Sequence, residues 1–168
     1  DLCCGSGCIA VSAAKQLKSA RIFAADLYDV PLKITKRNAE INDVKVDVVR
    51  ADALHFPPKE LGGDFDIIAS NPPYIPSGDI SSLQREVQHE PESALDGGED
   101  GLDFYRSICK NYGRLLRPGG ILAFEVGINQ ADLVSDMLKS CGFGDISCIA
   151  DYAGIDRVVY GTLMSRES

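Results

Sequence analysis

The chain has 168 residues, 45% of them hydrophobic and 25% charged, enough for one domain with its own core. Its 17 basic residues against 25 acidic ones leave a formal net charge of −8, which argues against a broad phosphate-binding surface and favours a partner with a basic face. No apolar run is long enough to span a bilayer, and no basic, apolar-cored leader is present. The six cysteines (Cys3, Cys4, Cys8, Cys109, Cys141 and Cys148) form no Cys-x-x-Cys pair and lie far in sequence from His55 and His89, so zinc spacing is not met and no metal site is expected.

Asp1-Leu2-Cys3-Cys4-Gly5-Ser6-Gly7 reads as a strand end, a tight turn and a helix start, so the chain has the look of a fragment that has lost upstream sequence. The spacing of Ile9, Val11, Ala14 and Leu17 predicts a helix from about Cys8 to Lys18. Glycines at such a turn permit positive φ and let a ligand approach the backbone closely. The turn is not a phosphate loop: the third glycine of Gly-x-Gly-x-x-Gly is missing, and Lys15 lies too far into the helix to be a Walker lysine.

Ala20 to Asp26 reads as a second strand ending in a carboxylate. An acid about 20 residues beyond a glycine turn of this kind accepts hydrogen bonds from ribose hydroxyls. A helix follows over Val30 to Ile41, with Pro31 in its first turn and Leu32, Ile34 and Ala39 apolar. Val44 to Ala51 is a third strand, ending at Asp52-Ala53. Asp52 either accepts from the exocyclic amine of a base or caps the turn before Phe56-Pro57-Pro58.

The apolar run Phe65 to Ser70 reads as a fourth strand and leads into Asn71-Pro72-Pro73-Tyr74. Open α/β sheets place their ligands at carboxyl ends of this kind. The two prolines have no N–H and cannot continue a ladder, so their carbonyls are available to other donors. Asn71 adds a side-chain carbonyl and an amide, and Tyr74 adds a flat face. Together they suit a planar –NH2 group. The plainer alternative is that Pro-Pro ends an edge strand and Tyr74 packs in the core.

Ile75 to Gly101 is long, irregular and acidic, with Glu86, Glu90, Glu92, Asp96, Glu99 and Asp100 against Arg85. A solvated charge run is its default reading, and its position directly after Tyr74 points instead to a wall over the substrate pocket. Leu102 to Leu116 is expected to be one helix, ended by the turn Arg117-Pro118-Gly119-Gly120. A strand over Ile121–Val126, a helix over Ala131–Ser140 and strands over 146–150 and 158–163 complete the chain. Alternating strands and helices imply a mostly parallel sheet covered on both faces, and the final strand pair implies an antiparallel last strand.

Asp1 to Gly7 resembles motif I of class I S-adenosylmethionine-dependent methyltransferases, and Asn71 to Tyr74 resembles the (D/N)PP(Y/F) motif of enzymes that methylate planar nitrogen. The stretch Glu90 to Tyr105 (EPESALDGGEDGLDFY), with Glu125-Val126-Gly127 and Asp151 to Arg157, is similar to the HemK/PrmC family. Members are protein-(glutamine-N5) methyltransferases acting on peptide chain release factors. The resemblance covers essentially the whole chain. It implies a Rossmann-like α/β fold: a mostly parallel seven-stranded sheet, an antiparallel last strand and, here, a truncated first strand. Residues 1–168 would form one methyltransferase domain, without the N-terminal helical substrate-recognition domain of the family.

The resemblance also implies roles. Cys3, Cys4, Gly5, Ser6 and Gly7 would line S-adenosyl-L-methionine. Asp26, with Leu27 beside it, would take the ribose hydroxyls, and Asp52 and Ala53 would border the adenine. Asn71, Pro72, Pro73 and Tyr74 would bind the target glutamine and carry catalysis, with Asn71 also touching the cofactor and Glu90 and Pro91 contributing to the substrate site. Methyl transfer to the glutamine of a release factor's GGQ motif would leave S-adenosyl-L-homocysteine. The expected setting is a cytoplasmic monomer that engages neither nucleic acid nor membrane directly. The chain departs from the family pattern at Cys3, usually glycine, and at Cys4, often threonine. Rival readings are methylation of a ribosomal-protein glutamine or of adenine N6 in DNA, a non-catalytic binding module, and a dinucleotide dehydrogenase weakened by the missing glycine.

Overall fold

A computed structural model describes residues 1–84 and 91–165. The described residues form six strands: β1 (Phe23–Asp26), β2 (Asp47–Arg50), β3 (Phe65–Ser70), β4 (Leu116–Glu125), β5 (Phe143–Ala150) and β6 (Asp156–Leu163). β1 pairs with β2, and β3 with β4, both in parallel, while β6 runs antiparallel to β4 and β5. Leu2 joins the two sets: it bridges Ala25 on one side and Ser70 on the other, parallel to both. The sheet order is therefore β2-β1-Leu2-β3-β4-β6-β5. The expected first strand is reduced to this one rung. Elsewhere the two sets meet through Phe23 and Phe65, whose rings pack edge to face at 5.3 Å.

The helices are α1 (Cys8–Gln16), α2 (Asp29–Ile41), α3 (Asp103–Ser107) and α4 (Ala131–Ser140). α1 begins one residue after Gly7, whose φ of 80° turns the chain out of the strand. No side chain of the turn caps α1; Asp1 Oδ2 accepts from the Ala10 N–H at 3.0 Å instead. Gly142, at φ 87°, ends α4 in the left-handed conformation that glycine favours. Ala24 and Ala25 alternate across the sheet, as strand geometry requires, and their burial separates two cores. Ala25 belongs to the larger one, with Tyr105, Ile108, Leu122, Phe124 and Val134. Ala24 belongs to the smaller one, with Cys4 and Ala10.

Two expectations need amending. The segment expected as one helix over Leu102–Leu116 is α-helical only over Asp103–Ser107, then widens into a π turn at Ile108–Tyr112 and tightens to a 3-10 turn at Gly113–Leu115. Side chains of the changed register reach the end of β2: the hydroxyls of Ser107 and Tyr112 donate to Ala53 O and Asp52 O at 2.7 and 2.8 Å. The turn Arg117–Gly120 lies within β4: Phe65 pairs with Leu116 and Ile67 with Ile121, so residues 117–120 are extruded, with Gly119 at φ 77°. Other boundaries differ by a few residues, because the predicted strand extensions at Ala20 and Val44 find no ladder partner.

Candidate active site

Leu2, β1 and β3 are neighbours in the sheet, so their carboxyl ends present Cys3, Asp26 and Asn71 side by side. Ala51 N donates to Asp26 O, which carries the same edge on to Asp52 and Ala53. The candidate residues of the glycine turn, the second and third strand ends and the Asn-Pro-Pro-Tyr stretch thus share one edge of the sheet.

The glycine turn is built from unusual backbone. Cys3, Gly5 and Gly7 have φ of 59°, 54° and 80°. For Cys3 that left-handed conformation costs about 1–2 kcal/mol, which is the physical reason glycine suits the position. Burial pushes the Cys3 thiol up to about 12, so it is a neutral packing group at physiological pH. A Cβ on Gly5 would meet nothing within 4 Å, so the turn faces open space. A Cβ on Gly7 would stand 2.7 Å from Thr35 Cγ2, so α2 lies directly against the turn.

α2 also holds the turn by hydrogen bonds that the sequence reading does not anticipate. Thr35, fully buried, donates to Gly5 O at 3.1 Å, and the Cys4 thiol lies 3.5 Å from its oxygen. Asn38 Nδ2 donates to Ser6 O at 2.8 Å. A polar residue on the inward face of α2, in register with Leu32 and Ala39, was the available signal. Asp26 faces the turn: Gly5 N donates to its Oδ2 at 3.0 Å and Tyr28 N to its Oδ1 at 3.1 Å. Each carboxylate oxygen keeps acceptor capacity for another donor. Leu27 follows, part exposed.

Asp52 is already engaged. Its Oδ1 accepts from Leu54 N at 2.9 Å and its Oδ2 contacts His55 Nδ1 at 2.8 Å. The turn-capping reading therefore holds, and the same carboxylate still borders the open edge.

Asn71 is exposed, whereas Pro72 and Pro73 are buried. Among the described residues, no hydrogen bond engages the Asn71 side chain or the carbonyls of Pro72 and Pro73. The backbone just beyond them is fastened tightly. Ile75 N donates to Leu95 O, and Gly97 N to Ile75 O, both at 2.9 Å. Ser77 Oγ donates to Asp96 Oδ1 at 2.7 Å, and that hydroxyl holds the Asp96 carboxyl below its usual range. Tyr74 is half-buried against the larger core, its ring so close to Gly127 that a Cβ there would lie 2.9 Å from Cδ2. A Cβ on Gly101 would lie 2.3 Å from Tyr74 O. Gln130, absent from the sequence-derived candidates, donates from Nε2 to Tyr74 O at 2.9 Å.

The backbone over Leu95–Gly101 thus packs beside Tyr74, while the acidic side chains of Glu92, Glu99 and Asp100 are exposed. Pro91 is exposed and opens the short turn Glu92–Ala94, with no hydrogen bond to Asn71–Tyr74. Glu90, with Arg85, Glu86 and His89, lies outside the described residues.

The chain is similar to known proteins. The chain is 46% identical over 165 residues to the release factor glutamine methyltransferase of Geobacter sulfurreducens, covering 97% of this chain and 57% of that protein. It is 41% identical over 162 residues to the protein of the same name from Clostridium acetobutylicum, covering 95% and 56%. The chain therefore spans little more than half the length of these relatives. A methyltransferase from Pyrococcus furiosus superposes with a TM-score of 0.71 over 96% of this chain and 72% of that one, at 18% identity. TrmN from Thermus thermophilus superposes at 0.65 over 98% and 43%, at 22% identity. These likenesses establish a class I methyltransferase fold. The family model described as the methyltransferase small domain matches residues 1–99, and the chain belongs to that family.

Proposed function

We propose that this chain is the catalytic domain of a protein-glutamine methyltransferase, moving a methyl group from S-adenosyl-L-methionine to the side-chain nitrogen of a release-factor glutamine. The observation that carries the reading is the pairing, on one sheet edge, of an open glycine turn beside a carboxylate with an exposed Asn71 and two proline carbonyls that, among the described residues, have no hydrogen-bond partner. The choice of glutamine as acceptor rests on the similarity to the named relatives.

The residues present fit the cofactor. The turn at Gly5 opens onto space that a side chain would fill, and Asp26 keeps acceptor capacity on both oxygens after binding Gly5 N and Tyr28 N. Cys3 to Gly7 would hold the methionine and ribose side, Asp26 with Leu27 the ribose hydroxyls, and Asp52 and Ala53 the base. When bound, S-adenosyl-L-methionine supplies an electrophilic sulfonium methyl.

A glutamine amide nitrogen is a weak nucleophile because its lone pair is delocalised into the carbonyl. The enzyme's contribution is therefore orientation and electrostatics. Asn71 Oδ1 and Pro72 O would accept the two amide hydrogens and aim the nitrogen at the methyl. As positive charge develops on nitrogen, the same two oxygens stabilise it. Tyr74 would hold the amide plane. No general base is needed before transfer, and His55 is committed to Asp52. The acidic balance of −8 suits a basic protein partner.

The test is methyl incorporation from labelled cofactor into a release factor offered beside a DNA duplex. Label is expected on the glutamine of the release factor. Label on adenine, or on neither substrate, contradicts the reading.

A further inference from the structure

We infer that Gln130 is a positioning residue for methyl transfer: it sets the conformation of the Asn71–Tyr74 stretch by clamping the carbonyl of Tyr74, at the end of that stretch. The inference rests on the acceptor role proposed above for Asn71 and Pro72.

The carboxamide of Gln130 is buried and sits where three distant segments meet. Nε2 donates to Tyr74 O at 2.9 Å and to Gly101 O at 3.4 Å. Oε1 accepts from Gly127 N at 3.0 Å and from the Tyr105 hydroxyl at 3.3 Å. A glutamine amide has two donor hydrogens and two acceptor lone pairs; here both donors and one lone pair have partners of their own, and the second lone pair shares the Tyr105 hydroxyl hydrogen with Glu125 O, 3.0 Å from that hydroxyl. The partners also fix which way the amide faces: two carbonyls on one side, two donors on the other. Any other residue at this position leaves at least one buried polar group without its partner.

The neighbouring glycines show how little slack the clamp has. A Cβ on Gly127 would lie 2.8 Å from Gln130 Oε1, and one on Gly101 would lie 2.9 Å from Gln130 Nε2. Tyr74 is thus gripped at its ring by Gly127 and at its carbonyl by Gln130. Two fixed prolines connect that grip to Asn71, and proline φ is nearly invariant. A displacement of Tyr74 O is therefore passed along a stiff segment to the Pro72 carbonyl and to Asn71. Gln130 lies on α4's N-terminal boundary and touches none of the glycine turn, so its influence should fall on the acceptor alone.

The test uses Gln130→Met, which keeps a long side chain and removes every hydrogen bond. Single-turnover methyl transfer to a release factor at saturating cofactor should fall about 10- to 100-fold, the penalty of a misplaced reacting group. Affinity for S-adenosyl-L-homocysteine by calorimetry should stay within about twofold of wild type. In the Asn71→Ala background the same change should cost little more, because both act through one stretch; additive losses would mark a merely structural role and overturn the inference. Tyr105→Phe removes the hydroxyl's bonds to Gln130 Oε1 and Glu125 O and keeps the ring, and it decides the matter if Gln130→Met does not fold: a several-fold lower rate at unchanged cofactor affinity supports the clamp, and an unchanged rate overturns it. If Asn71→Ala itself leaves transfer intact, the acceptor reading fails. If Asn71→Ala abolishes transfer while Gln130→Met does not, only the clamp fails.

Discussion

The glycine turn and the Asn71–Tyr74 stretch stand side by side on one sheet edge yet are stabilised in opposite ways. The turn spends its own backbone: three residues at positive φ, with Gly5 and Ser6 carbonyls taken up by Thr35 and Asn38 of α2. The stretch keeps its first side chain and its proline carbonyls unengaged among the described residues and is fastened from behind, by a loop and a glutamine 56 positions away in sequence. A turn that receives a small donor molecule can be rigid throughout. A site for an exchanging protein side chain needs open acceptors on a rigid mount. The difference predicts that the two halves fail separately.

Asn71→Ala should show this most strongly. Removing one of the two proposed acceptors should lower turnover about 100-fold or more while leaving cofactor affinity within about twofold. Near-normal turnover would sink the acceptor assignment, and lost cofactor affinity would erase the division between the halves.

Matched glycine substitutions should divide in the same way. Gly101→Ala forces a Cβ to 2.3 Å from Tyr74 O at a φ of 74°, and Gly7→Ala forces one to 2.7 Å from Thr35 Cγ2 at a φ of 80°. Each should cost about 2 kcal/mol or more of stability, read as a lower denaturation midpoint. Among molecules that remain folded, the first should lose turnover and the second cofactor affinity. Equal losses of both in both variants would contradict the comparison.

Thr35→Val is smaller. It leaves Gly5 O without its donor, at a cost of about 1–3 kcal/mol, and should weaken cofactor binding without changing the rate at saturating cofactor. Thr35 was in principle readable from the sequence. It falls in register with Leu32 and Ala39 on α2, where an apolar residue is expected, so a polar side chain there announces a partner. Gln130 was not readable in this way. Its partners come from Tyr74, Gly101, Tyr105 and Gly127, and no local period brings those positions together. Gly97, Gly101 and Gly127 were visible as motif residues, but the reason for them, crowding around Tyr74, exists only in three dimensions. The mostly parallel sheet with an antiparallel last strand was legible because alternating elements and a final strand pair imply it, whereas the order of the strands was not stated by any local pattern. The π turn was not, since apolar spacing over Leu102–Leu116 fits a regular helix equally well.

The mildest prediction concerns the wall beside Tyr74. Hydrogen bonds from Ser77 and Gly98 N hold the Asp96 carboxyl below its ordinary 3.8, so the folded form favours the charged state. That contribution is present at neutral pH and is lost as pH falls through about 4 and below. Hydrogen-exchange protection at Gly98 N should therefore decline in that window, and Asp96→Asn should flatten the decline. Constant protection down to about pH 2 would show that Asp96 does not hold the loop.

The central claim, that this sheet edge binds the methyl donor and its product through the glycine turn and Asp26, is tested most directly by calorimetry with S-adenosyl-L-homocysteine. The account predicts one-to-one binding to the chain as it stands, weakened at least about tenfold by Asp26→Ala, which removes a charged acceptor of the ribose hydroxyls. Asn71→Ala should bind as wild type does. Absence of binding to the unaltered chain, or binding indifferent to Asp26→Ala, would contradict it.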